Sequence, residues 1–330
     1  MNRTWKIALA FAVVIFLVAP CHASEADSSP IKIRGVGGAN LGGTWTVGLT
    51  GVGKLINDRY PGSTMDILIG ASVSNPLRLE NNSGDLTLTQ GINTFTGPRG
   101  QEPYNKPLNN LAAIGNVHDT SRMQIIVSAD LQAESLDEIV AKKLPVRLDC
   151  GSRGTLHHML GKMYLAEMGV TLDDIETWGG KVTVIPDSEK VAAFQDGVIN
   201  AQFVLGPGEQ ADKLELVRSC KVKWLPVSEK VLKAVSEKTG LKVGFVPGTF
   251  YGGSVGKDVP CLIDTTVFLV RKNLPDDVVY KITRSICEGY KELHAVQPIW
   301  STLNPQDMPK DLVLPLHPGA EKYYREAGIL

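Results

Sequence analysis

Neither sign of charge dominates this chain. Its 34 basic and 35 acidic residues leave a formal charge of −1, so nothing in it attracts a nucleic-acid backbone. A second long apolar run is also missing. Ile7 to Ala19 is uninterrupted and apolar, but it is too short to span a bilayer, and no comparable stretch follows. Enzyme signatures occur only as fragments. Gly35-x-Gly37-x-x-Asn40 lacks the third glycine of a dinucleotide fingerprint. Gly48 to Leu55 resembles a phosphate loop, but Leu55 stands where a magnesium-binding Ser or Thr is required, and Gly53-Lys54 falls inside a helical pattern. Gly252-Gly253-Ser254-Val255-Gly256 fits a serine-hydrolase nucleophile pattern, with His294 and His317 downstream, yet a loop rather than a helix follows it. Cys150 with His157 and His158 matches no zinc spacing, and adjacent histidines on a helix point apart. Binding without chemistry is the reading these gaps favour, with an exported hydrolase using Ser254 as the alternative.

A leader comes first. Arg3 and Lys6 precede the apolar run, and Ala23 or Ala26 offers a small residue for cleavage, so Met1 to Ala23 reads as a secretory signal peptide. Pro20 before Cys21 is wrong for lipid attachment. Loss of Arg3 and Lys6 takes the formal charge from −1 to −3. At 43% hydrophobic and 21% charged the composition is that of an ordinary globular protein. Cys150, Cys220, Cys261 and Cys287 could form one or two disulfides in an oxidising compartment, although a chain of this size does not need them.

The chain is organised around Ile31 to Tyr60. Ile31, Ile33 and Val36 form a short β-like run, which Gly35, Gly37, Gly38, Gly42 and Gly43 then break. Trp45, Leu49, Val52, Leu55 and Ile56 recur at helical spacing, so a helix should begin near Gly43 or Thr44. Its first N–H groups have no partner within the helix and favour an anion. A second cup of the same kind follows Pro145 to Leu148, where Asp149-Cys150-Gly151-Ser152-Arg153-Gly154-Thr155 leads into a helical stretch. Two such cups suggest two lobes closing on one small ligand.

Strand and helix patterns alternate through Met65–Ile69, Leu77–Leu79 and Leu86–Gln90, which predicts a parallel sheet with ligand-facing loops at the carboxyl ends of its strands. The Gly37–Thr44 and Ser72–Asn75 loops and Gln90 all fall at such ends and should converge. Residues 91–109 read as a long surface loop, and Phe245 to Pro260 as irregular. Ser135 and Glu138 have capping-box spacing. Thr265 to Val270 is expected to pair with Met123 to Ser128 as a hinge. Pro275 should open a long helix running to about His294. The predicted division is one lobe from 31–126 plus 264–330 and an inserted lobe from 127–263.

These segments resemble the TAXI family of solute receptors, the extracytoplasmic binding proteins of TRAP transporters. The Gly-Gly-Thr-Trp run at Gly42–Trp45, the Ser72–Gln90 segment, the Gly-Ser-x-Gly-Thr loop ending at Thr155 and Leu314–Gly328 carry the likeness across nearly the whole mature chain. The resemblance implies an α/β, type II periplasmic binding-protein fold with two lobes joined by hinge strands and the ligand in the interlobe cleft. It implies a small organic acid or amino acid as ligand, an ion-driven TRAP permease as partner, a periplasmic monomer, and neither cofactor nor metal. By position it places Gly43, Thr44, Trp45, Ser72, Ser74, Asn75, Gln90, Cys150, Arg153, Gly154, Thr155 and Gly208 around the ligand. Trp45-Thr46, Cys150 and Arg153 depart from the family pattern. A guanidinium beside a helix N-terminus suits a carboxylate, so Arg153 is the expected charged contact, against the plainer alternative of a surface arginine paired with Asp149 or solvent.

Overall fold

The computed structural model describes residues 28–38, 41–117, 120–153 and 155–330. The proposed leader and Gly154 lie outside them. The first half of lobe 1 runs β1 (Lys32–Val36), α1 (Thr44–Arg59), β2 (Thr64–Leu68), α2 (Ser74–Glu80), β3 (Leu86–Gln90), α3 (Gly91–Arg99) and β4 (Leu111–Asn116). Lobe 2 begins with β5 (Ser121–Ser128), α4 (Leu136–Ala141), β6 (Arg147–Asp149), α5 (Leu156–Glu167), α6 (Leu172–Thr177), β7 (Lys181–Thr183) and α7 (Lys190–Gln195). It continues with β8 (Ala201–Pro207), α8 (Ala211–Ser219), β9 (Val222–Trp224), α9 (Glu229–Thr239), β10 (Lys242–Val246), the single turn α10 (Phe250–Gly253) and β11 (Val259–Asp264). The chain then returns to lobe 1 as β12 (Thr266–Arg271), α11 (Asp276–Glu288), α12 (Tyr290–Val296) and α13 (Pro318–Glu326).

Each lobe is a sheet covered on both faces. In lobe 1 the order is β2-β1-β3-β12-β4, with β2, β1 and β3 parallel and β12 antiparallel to both its neighbours. Alternation along β12 shows the two layers directly. Phe268 and Val270 enter the core beneath α1 and α11, while Val267 and Leu269 face Leu79 and Leu108 on the other side. Lobe 2 has the order β10-β11-β5-β8-β6-β7, with β9 also paired to β5. Ile125, Val127 and Phe203 face one core and Ile126, Val204 and Trp224 the other. This is the bilobal α/β, type II periplasmic binding-protein fold.

The lobes are joined differently from the predicted hinge. Thr265 to Val270 does not pair with Met123 to Ser128. β12 pairs with β3 and β4 in the first sheet, and β11 pairs with β5 in the second through Ile263–Arg122 and Asp264–Ser121. The crossings therefore lie between β4 and β5 and between β11 and β12, side by side, with Val117 N–H donating to Thr266 O at 2.8 Å. Because β5 pairs in the second sheet from Ser121 onward, the first boundary falls before Ser121 rather than after residue 126. Both strands are apolar along most of their middle, Ile125–Val127 and Val267–Val270, so sequence alone could not choose the partner.

Three further differences have local causes. Residues 91–99, expected as loop, form α3 although Gly, Asn, Thr and Pro are poor helix formers. Burial of Ile92, Thr94 and Thr96 holds it, and the two threonine hydroxyls donate to Gly91 O and Ile92 O. Phe245 to Pro260, expected as irregular, contains the end of β10 and the start of β11, which pair with each other. The helix expected to reach His294 breaks at Gly289, where an added Cβ would lie 2.6 Å from Leu55 of α1. By contrast α1 begins at Thr44 with Gly43 as its N-cap, and Ser135 caps α4 by accepting from Glu138 N–H. All four described cysteines are free.

Candidate functional site

A cleft of about 580 Å³ opens between the lobes. From lobe 1 it is lined by the loop after β2 (Ala71, Ser72, Val73), the end of β3 (Gln90) and α3 (Ile92, Asn93). From lobe 2 it is lined by Thr155 and the flank of α5. A smaller compartment of about 300 Å³ lies beside it, bounded by Gly38, Gly43, Thr44, Trp45 and Thr266 from lobe 1 and by Ser121 and Pro207 from lobe 2. Gln90 lines both. Its place follows from topology, since β3 pairs with β12 through Gln90–Thr266 at the point where the chain changes lobes.

The strand-end loops are tied to one another. Ser72 O accepts from Thr89 Oγ1 (2.8 Å) and Asn93 Nδ2 (3.1 Å), and Ser72 Oγ accepts from Asn93 Nδ2 at 2.9 Å. Ser72 Oγ also lies 3.4 Å from Gln90 Oε1 and 3.4 Å from Gln90 N. Asn75 is fully buried; its amide donates to Gly37 O (3.0 Å) and Leu88 O (2.9 Å) and its Oδ1 accepts from Ala71 N–H (2.9 Å). All of that capacity goes to backbone. Asn75 therefore fixes the Ala71–Val73 turn from beneath it and lines neither compartment. Ser74 likewise bonds the Ala71 backbone and lines neither compartment.

In lobe 2 the loop before α5 is built on Asp149. This fully buried carboxylate accepts from Gly151 N–H and Ile185 N–H, both at 3.2 Å, and stands 3.1 Å from Lys190 Nζ. Its ion-pair partner is thus Lys190 and not Arg153. Arg153 is exposed and lines neither compartment, and Cys150 is buried beneath the loop with its thiol pushed up by burial, then by Asp149. Gly208 takes a left-handed conformation (φ +57°) next to the lining residue Pro207, without lining the space itself. Of the described residues singled out from sequence, Gly43, Thr44, Trp45, Ser72, Gln90 and Thr155 border the cleft or the compartment beside it.

The two cups consequently border neighbouring compartments that meet at Gln90. The larger one is mostly walled by side chains that sequence reasoning passed over. Thr155, Met159, Lys162 and Ala166 share one flank of α5 at helical spacing, with Leu156 and Met163 beside them. That spacing was visible in the sequence, but a helix with two apolar faces does not announce which one is packed. His157 and His158 also line the space. His158 Nδ1 lies 3.0 Å from Gly151 O and His157 Nε2 lies 3.3 Å from Thr155 Oγ1. Burial, helped by nearby Lys190, lowers the His157 pKa to about 4, so it is neutral at neutral pH.

Ser254, His294 and His317 do not assemble into a hydrolase triad. Ser254 Oγ donates to Tyr251 O at 2.7 Å in lobe 2, while His294 and His317 bond the carbonyls of Leu303 and Lys272 in lobe 1. A further cavity of about 160 Å³ lies at the hinge, where Lys242 of lobe 2 meets Asp311 of lobe 1 at 2.7 Å. It borders the crossing strands and not the strand-end loops. Among the described residues no group of His, Cys, Asp and Glu is arranged to hold a metal ion.

A profile described as the NMT1-like family matches residues 36–328 of the chain. Among solved structures, XAC2383 from Xanthomonas citri, bound to chloride ion, is similar with a TM-score of 0.50 and 12% identity, over 92% of this chain and 97% of that one. The periplasmic aliphatic sulphonate binding protein SsuA from Escherichia coli aligns with a TM-score of 0.43 and 14% identity, over 90% of this chain and 84% of its own. A TRAP periplasmic solute binding protein from Rhodobacter sphaeroides aligns with a TM-score of 0.43 and 12% identity, over 91% of each chain.

Proposed function

Because the chain belongs to the NMT1-like family, we propose that it is a periplasmic solute-binding receptor of a membrane transporter, of the TAXI type. In this reading it captures a small organic acid or amino acid in the interlobe cleft and hands it, as a monomer and without chemistry, to an ion-driven TRAP permease. The observation that carries the reading is the cleft itself. It is bounded from both lobes and lies at the carboxyl ends of β2 and β3. The compartment that shares Gln90 with it reaches Ser121 and Thr266, next to the crossings about which the lobes can close. Gln90 supports the choice of a polar ligand group, since among the described residues its Nε2 donates no hydrogen bond within the protein. The alternative, a hydrolase using Ser254, gains nothing from the placement of that hydroxyl.

Thermal unfolding in the presence of a panel of carboxylates and amino acids tests this. A ligand present at a hundredfold excess over its Kd stabilises the folded state by about 2.7 kcal/mol. A clear rise in melting temperature with one class of acid is expected. No rise with any member of the panel, together with turnover of a generic ester, would contradict the proposal.

A further inference from the structure

Resting on that reading of the cleft, we infer that its solute is an amphiphilic monoacid: one polar head at the Gln90 end and an extended apolar body lying along the flank of α5. The wall contributed by lobe 2 is the side of a helix, not its end. Thr155 to Ala166 spans about 16 Å at 1.5 Å per residue, and Leu156, Met159, Met163 and Ala166 present hydrocarbon or thioether along that length. Val73, Ile92 and Pro103 face the same space from lobe 1. A compact diacid would leave most of this wall against water.

Lys162 also lies on this flank, at an exposed position where its stem can cover hydrocarbon while its ammonium stays in water, and Glu102 lines the space from lobe 1. The hydrogen-bonded polar group is at the other side. Ser72, Gln90 and Asn93 form one connected group, with the Gln90 Nε2 donor unspent among the described residues. The two histidines add little to it, since each ring is already engaged with the loop before α5 and His157 is uncharged at neutral pH. Methionine suits the proposed body, because its unbranched, polarisable side chain adapts to hydrocarbon and aromatic shapes alike. The volume of about 580 Å³ lies within the range of pockets that hold drug-sized ligands.

Calorimetric titration with propionate, butyrate, hexanoate and octanoate, and separately with succinate, tests the inference. Affinity is expected to rise about fourfold per added methylene along the monoacid series, and hexanoate is expected to bind more tightly than succinate. The Met159→Gln, Met163→Gln double variant should lose about tenfold more affinity for octanoate than for propionate. Ala166→Glu, at an exposed position on the same flank, should show the same selective loss even where the double variant folds poorly. Binding of succinate or propionate with no gain along the series overturns this inference and leaves the carboxylate receptor standing. Failure of every one of these acids to bind overturns this inference too, and the receptor reading is then decided by the amino acids of the thermal panel.

Discussion

At the scale of single residues, the polar side chains around the cleft divide into those that hold the loops and those with capacity to spare. Asn75 belongs to the first group. Replacing it with alanine removes three bonds made by one buried amide; the Leu88 carbonyl keeps Thr87 Oγ1 and the Ala71 N–H keeps Ser74 Oγ, while the Gly37 carbonyl loses its side-chain donor. Leaving a buried carbonyl unsatisfied costs about 1–3 kcal/mol. The Asn75→Ala variant should therefore unfold at a lower urea midpoint with an unchanged slope, even without ligand. If the variant were as stable as the parent and lost only affinity, Asn75 would be a ligand contact after all. Sequence placed Asn75 at the right strand end but could not assign its role, because an asparagine in a turn bonds backbone or ligand with the same atoms. Arg153 was open between ligand contact and a surface role for a related reason. Its neighbourhood suits an anion, yet the buried Lys190 occupies Asp149, and Arg153 is exposed and lines neither compartment.

Among the elements, α5 has two duties. One face packs on β8, where Gly161 lets the helix approach Phe203, and another walls the cleft. A Cβ at residue 161 would lie 2.2 Å from the Phe203 ring. In an exposed helix Gly→Ala is worth about 1 kcal/mol of added stability. Here overpacking should outweigh it and cost about 1–3 kcal/mol. Gly161→Ala is thus expected to lower the melting temperature, and because α5 must move off the sheet, to weaken solute binding as well. A melting temperature at or above that of the parent would show that the helix is not seated as described. Elements with strong local signals, such as α1 with its glycine-ended loop and α4 with its Ser135 cap, were legible from sequence. Elements held by their surroundings were not. α3 is built of poor helix formers and owes its form to buried partners, and the pairing of β12 depends on strands that all read alike.

For the whole molecule, the two sheets, the adjacent crossings and the cleft form one argument. α3 links the lobes on one side, since Ile92 joins the lobe 2 core and Phe95 lies against Gly240 at the end of α9. The Lys242–Asp311 ion pair links them at the hinge; both side chains are more than half exposed, so its worth is at most about 1 kcal/mol. Closure of the lobes would be favoured by a solute that touches both walls. The division into lobes and the convergence of strand-end loops could be anticipated from the glycine loops and the alternating pattern. The helix flank that forms most of the far wall could not, because it depends on how α5 is rolled against its sheet. Native mass spectrometry of the gently purified protein, beside an Ala71→Trp variant that fills the cleft from an exposed position, tests the central claim most directly. The account predicts a one-to-one small-molecule adduct on the parent chain that the variant lacks; an adduct carried equally by both proteins would contradict it.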